Sequence, residues 1–366
     1  MLTILVSTGL VVLVSAALAA LLVLAERWLI RYGTCVIDIN RGTRRLEVAG
    51  GGTVLGTLLA NRIFIPSACG GRGTCAYCKV KILEGGGPLN PTEEPLLSKD
   101  EIAQNVRISC QCKVRQDLRV EIPASLLTVQ EFRGRIERIR DLTHDVRELC
   151  ITLLGPEKIE FVPGQYVQLL APSYRGNPEV YRAYSISSPP SQAGAIELII
   201  RLVPGGICTT WVFEVLKKGD EVRFNGPHGD FRLSGTGAEM IWIAGGSGMA
   251  PFWSIIRDMD EKGIARPCTY FFGAVARRDM FLLDELTALA KKHDWFHYVP
   301  ALSRPAPDDR WDGQAGLVTE IVARQVADGA GKEAYLCGSP GLIDAAIKVI
   351  KAKGVPGDRI FYDKFE

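Results

Sequence analysis

The chain begins with an unbroken apolar stretch, after which hydrophobic positions recur with different spacings. From residue 2 to residue 25 every side chain is apolar, small or hydroxyl-bearing. A helix of 24 residues, rising ~1.5 Å per residue, is long enough to cross a hydrocarbon core of ~30 Å. The pattern therefore predicts a transmembrane helix over 2–25.

The residues that follow this stretch indicate its orientation. Arg27, Trp28 and Arg31 place positive charge and an interfacial aromatic ring on its carboxyl side. Because positive charge tends to stay inside, we expect a single-pass protein of the inner (cytoplasmic) membrane, with its soluble domains in the cytoplasm. A cleaved signal peptide is the alternative. It is disfavoured because no basic region precedes the apolar run and because the run is too long.

Beyond residue 33 the hydrophobic spacing divides the chain into three predicted domains. Alternating strands around a helical segment at 52–62 predict a β-grasp domain over 34–126. Six short alternating strands, punctuated by Gly and Pro, predict an antiparallel β-barrel over 130–235. Continuous apolar strands that alternate with helices predict an α/β domain with a parallel sheet over 236–366. The predicted fold class is thus multidomain.

Composition agrees with several globular domains and excludes one class of partner. A length of 366 residues suggests two or three domains of roughly 100 to 200 residues each. The 43 basic and 41 acidic side chains give a net charge of +2. Because no long basic run is present, nucleic acid is not expected as a partner.

Several of the ten cysteines stand in a pattern typical of a redox centre. Cys69, Cys75 and Cys78 form C-x5-C-x2-C, and Cys110 and Cys112 follow further along the chain. A reducing compartment disfavours structural disulfides, and a zinc ribbon requires two close pairs. Three ligands on one loop with a distant fourth are typical of a plant-type [2Fe–2S] cluster, although the first gap is one residue longer than usual. The fourth ligand is either Cys110 or Cys112, and only one of the two is expected to face the cluster.

The predicted barrel contains side chains suited to a flavin dinucleotide. In the sequence Arg-x-Tyr-Ser at 182–185, an arginine can hold a phosphate, a tyrosine can lie against a flat ring and a serine can reach a ring nitrogen. A Gly-Gly and a Thr-Thr pair then precede a helical segment predicted from residue 211, where a pyrophosphate can bind. An ordinary strand and an ordinary helix cap are the alternatives. The predicted FAD-binding residues are Arg182, Tyr184, Ser185, Gly206, Thr209 and Thr210.

The predicted α/β domain has two glycine turns at the ends of strands, at 245–251 and 336–340. Such turns let the pyrophosphate of a nicotinamide dinucleotide approach the backbone at a helix N-terminus. The first turn departs from G-x-G-x-x-G. In the second, Cys337 either approaches the nicotinamide or is a buried strand-end thiol. The predicted nucleotide-binding residues are Gly245, Gly246, Gly248, Pro251, Gly338 and Pro340.

The chain resembles, over essentially its whole length, the F subunit of the Na+-translocating NADH:quinone oxidoreductases. The resemblance rests on PSACGGRGTCAYCKVKI, ISCQ, RAYS, GGSGMAP and LCGSP, in that order. It implies one membrane helix, a [2Fe–2S] ferredoxin domain, an FAD domain and an NADH domain. It also implies that Cys110 is the fourth cluster ligand, that Cys337 lies near the nicotinamide and that Phe365 covers the flavin ring.

The function implied by the resemblance is that of a membrane-anchored enzyme subunit that oxidises NADH. A hydride passes from NADH to FAD, and single electrons then pass through the [2Fe–2S] cluster to integral-membrane subunits of a Na+-translocating quinone reductase. A flavin is needed between the two because NADH delivers two electrons and the cluster accepts one. The match favours NADH, although Arg277 and Arg278 could pair with the 2′-phosphate of NADPH.

One segment departs from this family. Between the predicted strand at 164–172 and RAYS only nine residues, 173–181, intervene, where the F subunit usually carries a long insertion. The short loop is more similar to the reductase components of bacterial oxygenases. The alternative function is therefore a reductase for a membrane-associated oxygenase. A redox sensor without turnover is a third hypothesis.

Overall fold

The computed structural model of the chain describes residues 2–29, 32–67 and 69–365, and the side chains of 2–5, 22–29 and 125 lie outside that description. The chain divides into two compact units. The first consists of Met1–Ile65 and Gly71–Leu127. The second consists of Pro66–Gly70 and Thr128–Glu366. It contains both the predicted flavin half and the predicted nucleotide half.

The N-terminal apolar stretch forms one long helix, α1 (Leu2–Leu29). Its apolar side chains are open to solvent: Leu10 is 65% and Leu13 is 69% exposed. Within the described part of the chain, no helix meets the length and apolarity that crossing a bilayer requires. The prediction of a transmembrane helix over 2–25 is not supported by this finding.

The first unit is built on a five-stranded mixed sheet of order β2-β1-β5-β3-β4. Strand β1 forms an antiparallel hairpin with β2 and runs parallel to β5, as a β-grasp fold requires. Ile37, Leu58 and Val120 lie in its buried core. The prediction of a ferredoxin-type domain is confirmed. Its elements are β1 (Thr34–Ile39), β2 (Arg44–Ala49), α2 (Val54–Ala60), β3 (Lys79–Glu84), α3 (Lys99–Ala103), β4 (Val106–Ile108), β5 (Leu118–Glu121) and α4 (Ala124–Leu127).

The flavin half of the second unit is a six-stranded antiparallel sheet of order β10-β7-β6-β11-β8-β9. In the described residues, an isolated bridge between Ile186 and Leu198 joins its two ends in place of a full ladder. The predicted barrel is therefore corrected to a half-barrel. Its elements are β6 (Gln130–Asp141), β7 (Val146–Gly155), β8 (Tyr166–Ala171), β9 (Val180–Ser185), β10 (Ala195–Arg201), α5 (Ile207–Glu214) and β11 (Glu221–His228).

The nucleotide half is a six-stranded parallel sheet of order β15-β14-β13-β12-β16-β17, as predicted. The chain order reverses between β12 and β16, and ligands of open α/β sheets bind at the carboxyl ends of strands at such a point. Its elements are β12 (Met240–Gly245), α6 (Met249–Lys262), β13 (Cys268–Ala274), α7 (Leu283–Lys292), β14 (Phe296–Leu302), β15 (Gln314–Ala315), α8 (Val318–Gln325), β16 (Glu333–Gly338), α9 (Pro340–Ala352) and β17 (Ile360–Lys364).

Candidate functional site

The cysteine loop of the first unit is held in a conformation that favours glycine. Gly71 has φ +88° and Gly73 has φ +78°, values that side chains rarely adopt. A Cβ at Gly73 would lie 2.5 Å from Nε2 of Gln111, and one at Gly71 would lie 3.9 Å from Cβ of Cys110. The loop therefore runs close against the segment that carries the predicted fourth ligand.

Two of the predicted cluster ligands lie together in this unit. The side chains of Cys78 and Cys110 are hydrogen-bonded to each other, and both are buried. This hydrogen bond and burial raise the pKa of the Cys78 thiol. The backbone amide of Ser109 also donates to the Cys78 carbonyl at 2.9 Å, which fixes the two segments together. Adjacent buried thiols are a donor pair that suits a soft iron–sulfur centre.

Cys112 occupies a different environment. Its Sγ donates to the carbonyl of Gly86 at 3.7 Å, and burial raises its pKa. The segment that carries Cys110 and Cys112 is a turn, in which the amides of Gln111 and Cys112 both reach the Ile108 carbonyl. The two cysteines therefore do not lie on a strand. Of these two cysteines, it is Cys110 that is hydrogen-bonded to Cys78.

The other two predicted ligands belong to different units. Cys69 is buried and belongs to the Pro66–Gly70 segment of the second unit, and Cys75 is half-buried in the first. Across the described ranges no three His, Cys, Asp or Glu side chains are grouped as metal ligands. The structure thus brings together the pair Cys78 and Cys110, and the full set of four remains a prediction.

In the flavin half, the predicted Arg-x-Tyr-Ser residues lie on β9, an end strand of the sheet. Arg182 pairs with Leu169 of β8 and Tyr184 with Val167, whereas Ser185 pairs with Tyr166. Side chains alternate along a strand, so Arg182 and Tyr184 share one face and Ser185 lies on the other.

Tyr184 has a partner that the sequence did not reveal. Burial raises the pKa of its phenol well above the usual value, and the Cys208 thiol at the start of α5 is hydrogen-bonded to it. The apolar surroundings of Cys208 in the sequence predict a small core residue. Cys208 is indeed buried, but it is also hydrogen-bonded to Tyr184, the tyrosine predicted to lie against the flavin ring. No local sequence signal relates two residues on separate elements.

The glycine-threonine segment folds differently from the prediction. Helix α5 begins at Ile207, with Gly206 as its N-cap, and not at residue 211. Both threonines therefore lie inside its first turns. The Thr209 hydroxyl donates to the Val203 carbonyl at 3.2 Å and accepts from the Val203 amide at 3.2 Å, so it closes the loop before the helix. The amide of Thr210 donates to the Gly206 carbonyl at 2.9 Å.

The two predicted glycine turns of the nucleotide half meet at the point where the strand order reverses. Gly245 ends β12, residues 246–248 form a 3-10 turn, and Pro251 is the third residue of α6. A Cβ at Gly248 would clash with the Cys337 carbonyl and would lie 3.0 Å from Cα of Gly338. Position 248 therefore requires glycine, because the backbones of the two turns approach each other closely there.

The second turn leads directly into α9. Pro340 is the first residue of that helix, and Ser339 caps it by accepting a hydrogen bond from the Leu342 amide at 3.4 Å. Cys337 is fully buried, and burial raises its thiol pKa well above the usual value. The amide of Phe365 donates to the Gly338 carbonyl at 2.8 Å, which places the end of the chain beside this turn.

Comparison with known proteins identifies the family. The chain is 33% identical over 397 residues to the F subunit of the Na(+)-translocating NADH-quinone reductase of Pseudomonas aeruginosa, an alignment that covers 98% of this chain and 97% of that protein. The protein of the same name in Neisseria gonorrhoeae is 32% identical over 390 residues, with 95% and 96% covered. The chain belongs to this F-subunit family. The family resemblance predicted from the motifs is confirmed.

Three domain models match this F-subunit homologue in succession. They are the 2Fe-2S iron-sulfur cluster binding domain over 37–115, the oxidoreductase FAD-binding domain over 133–233 and the oxidoreductase NAD-binding domain over 242–348. The predicted cofactors, a [2Fe–2S] cluster, FAD and NADH, are confirmed. Their order along the chain fits an electron path from NADH through FAD to the cluster.

Solved structures resemble this F-subunit homologue over most of its length. The Amycolatopsis cytochrome P450 reductase GcoB gives a TM-score of 0.72 at 30% identity and covers 91% of this chain and 99% of its own. The ferredoxin reductase in carbazole 1,9a-dioxygenase gives 0.69 at 28% identity, with 91% and 98% covered. The same three domains therefore occur in reductases with other electron acceptors.

Proposed function

We propose that the chain is the NADH-oxidising, membrane-anchored subunit of a Na+-translocating NADH:quinone reductase. The observation that carries the proposal is the succession of cluster, FAD and NAD domains in one chain that is 33% identical to an F subunit over 98% of its length. The reaction is the oxidation of NADH, with electrons passed on to partner subunits and finally to a quinone.

Each cofactor supplies a distinct part of this chemistry: NADH gives a hydride, a flavin accepts two electrons and releases them singly, and a [2Fe–2S] cluster takes one at a time. The chain needs no acid–base triad for these steps. Its residues position the reacting groups and exclude water. On β9, Arg182 binds a phosphate of FAD, Tyr184 lies against the ring and Ser185 reaches a ring nitrogen. Gly206, Thr209 and Thr210 border the pyrophosphate at the first turns of α5.

The proposed cluster ligands are the thiolates of Cys69, Cys75, Cys78 and Cys110. Their spacing and the family resemblance support the set of four. The hydrogen bond between Cys78 and Cys110 supports these two members of it. Cys112 is not included, because its thiol is engaged with the Gly86 carbonyl.

The proposed NADH site lies at the two glycine turns. The turn that contains Gly245, Gly246 and Gly248, followed by Pro251, offers backbone amides and a helix N-terminus to the pyrophosphate. A second group of residues borders the nicotinamide and the flavin ring: Cys337, Gly338, Pro340 and Phe365. NADH is preferred to NADPH, and Arg277 and Arg278 belong to a 3-10 turn in which Arg278 is largely exposed.

We further propose that residues 2–25 anchor the chain in the cytoplasmic membrane as a single-pass segment, with its domains in the cytoplasm. The apolar sequence, its helical conformation and its exposed side chains support this part of the proposal. The partners are the integral-membrane subunits of the complex. The names of the relatives, which call each of them a subunit of a reductase, support the same conclusion.

A reductase for a membrane-associated oxygenase is the second candidate. Two observations favour it: the short segment at 173–181, and the similarity to a P450 reductase and to the ferredoxin reductase of a dioxygenase. A redox sensor without turnover would bind NADH but would not consume it. Steady NADH oxidation with ferricyanide as acceptor would exclude this third hypothesis.

The deciding experiment is purification of the full chain from gently solubilised native membranes, with a variant that lacks residues 2–25 as control. We expect several polytopic subunits to copurify with the full chain and to be absent when the variant that lacks residues 2–25 is purified. The full-chain preparation should also reduce quinone with NADH. Recovery of an oxygenase in their place would overturn the quinone reductase in favour of the second candidate.

A further inference from the structure

Helix α6 binds two successive backbone carbonyls of the flavin half. Ser254 donates from Oγ to the Ser188 carbonyl at 2.6 Å, and Arg257 donates from Nη2 to the Ser187 carbonyl at 2.5 Å. Ser254 and Arg257 are three positions apart, so they lie on the same face of the helix. Both carbonyls belong to the short segment that follows β9.

A carboxylate of the flavin half completes this contact. Oε2 of Glu197 accepts from Nη2 of Arg257 at 2.7 Å. The backbone of Glu197 is bonded to the same segment: its carbonyl accepts from the Ser187 amide at 2.8 Å, and its amide donates to Oγ of Ser188 at 3.1 Å. The segment is therefore fixed to β10 on one side and to α6 on the other.

The contact is largely shielded from water. Ser187, Ser188 and Ser254 are fully buried. The Arg257 guanidinium lies 5.1 Å from the centroid of the Trp253 ring, and its side chain is 22% exposed. Screening by solvent is weak at such a site, so hydrogen bonds to the charged group are stronger than on an open surface.

The two ends of this contact belong to the two halves of the proposed hydride-transfer site. The 187–188 segment begins two residues after Ser185, the end of the strand that carries the proposed FAD-binding residues. Helix α6 begins at Met249, directly after the 246–248 turn. A displacement of α6 relative to the segment would therefore change the distance between the turn and the strand that are proposed to bind the two cofactors.

We propose that Ser254 and Arg257 form a positioning clamp that fixes the nicotinamide-binding turn relative to the flavin-binding strand and so sets the rate of hydride transfer. The clamp rests on the proposed function. The step that it controls moves one hydrogen nucleus with two electrons from NADH to the flavin and leaves NAD+. Neither residue is among the proposed cofactor-binding residues, so both are positioning residues.

The test uses the FAD-loaded full chain and the variants Arg257→Gln and Ser254→Ala. Flavin reduction by NADH is followed anaerobically by stopped flow, and NADH affinity is measured separately. Because small misplacements slow such reactions strongly, we expect reduction to fall roughly tenfold to a hundredfold in Arg257→Gln. We expect FAD content to remain unchanged and the NADH dissociation constant to change by less than about threefold.

Two readouts do not depend on turnover. The long-wavelength charge-transfer absorbance of the nicotinamide–flavin pair should weaken, because it requires stacked rings. Hydrogen exchange at the Ser187 amide should become faster, because that amide is held between β10 and the clamp. The charge-transfer band would not respond to a merely structural role that leaves the rings in place.

Arg138→Gln is the matched control. Arg138 binds the other oxygen of Glu197 at 3.0 Å and also binds Glu148, but it bonds neither to the 187–188 segment nor to α6 in the described structure. We expect its flavin reduction to remain within about twofold of the parent. Arg257→Lys retains the positive charge. Its rate of flavin reduction should therefore lie between those of Arg257→Gln and the parent.

The outcomes separate the clamp from the proposed function. If the parent is not reduced by NADH, the proposed function fails. If the parent is reduced and both Arg257→Gln and Ser254→Ala are reduced at the same rate, the clamp is overturned. An equal loss of flavin reduction rate in Arg138→Gln would also overturn the clamp. The charge balance at Glu197, and not the contact of α6 with the 187–188 segment, would then be responsible. If Arg257→Gln does not fold, Ser254→Ala and Arg257→Lys decide the question.

Discussion

Arg107 and Glu93 form an ion pair that is sealed from solvent, with Nη2 of Arg107 2.5 Å from Oε2 of Glu93. The same carboxylate accepts the Ile108 amide at 2.9 Å. The guanidinium also donates to the carbonyls of Gly86 and Pro88. Although burial raises it, the hydrogen bond from Arg107 holds the pKa of Glu93 below its usual value. The pair thus joins a glycine-rich loop to the strand that precedes Cys110.

Replacement of Glu93 by Gln should destabilise the first unit. It leaves the Arg107 charge buried without a counterion, and breaking a buried pair in this way costs about 3–5 kcal/mol. We expect the visible absorbance of the bound cluster to be lost at lower temperature and lower guanidinium concentration than in the parent chain.

Arg119→Gln is the control for this substitution. Its pair with Glu84 lies in the same unit, but the two side chains are 47% and 62% exposed. Exposed pairs contribute about 0–1 kcal/mol, so cluster loss should hardly change. Equal effects of the two substitutions would contradict the importance given to burial.

Cys110→Ser and Cys112→Ser should differ in iron content. Cys110 is hydrogen-bonded to Cys78, whereas Cys112 is directed to the Gly86 carbonyl. We expect Cys112→Ser to retain the iron and the cluster absorbance, and Cys110→Ser to lose most of both. Iron analysis of the two purified variants makes the comparison, and the reverse result would assign Cys112 as the ligand.

Much of the fold could be predicted because its signals are local. The alternation that predicts β1 and β5 appears in the structure as buried Ile37, Ile39 and Val120 facing the core. The cysteine spacing and the two glycine turns are likewise short motifs, each formed within one loop. Such signals need no knowledge of what packs against them.

Several features that the sequence did not predict depend on contacts between separate segments of the chain. Helix α5 starts earlier than predicted because the Thr209 hydroxyl bonds to the Val203 backbone, so a residue expected to precede the helix lies inside it. The half-barrel depends on how the end strands approach each other at Ile186 and Leu198. The hydrogen bonds from Arg257 to Ser187 and Glu197 depend on how the nucleotide half packs against the flavin half. None of these contacts can be predicted from the hydrophobic periodicity of the sequence.

Gly248→Ala should weaken NADH binding. The added Cβ would clash with the Cys337 carbonyl, and backbone atoms on both sides of the contact must then separate. We expect the NADH dissociation constant to rise by about tenfold or more, since losing one hydrogen bond from a backbone amide to the charged pyrophosphate costs about 1.5–3 kcal/mol. Gly235→Ala is the control, because a Cβ there meets nothing within 4 Å. Unchanged NADH affinity in Gly248→Ala would show that the turn does not border the nucleotide.

Glu333 should make the stability of the nucleotide half depend on acid pH. Burial alone would raise its pKa, but hydrogen bonds from Ser234, Thr236, Tyr335 and Arg266 outweigh burial and lower the pKa from 4.5 to about 2. Because the pKa is depressed in the folded state, the stabilisation is complete above about pH 4.5 and is lost as the pH falls through about 2. Between pH 5 and pH 3 the expected loss is on the order of 2 kcal/mol.

Guanidinium unfolding at a series of pH values, followed by tryptophan fluorescence to which buried Trp242 contributes, measures this loss. Glu333→Gln should be less stable at pH 5 than the parent and should lose less stability on acidification, because it has no carboxylate to protonate. Glu239→Gln, at a half-exposed pair with Lys332, should retain the parent's dependence. An acid dependence that is the same in Glu333→Gln and in the parent would assign the effect to other carboxylates.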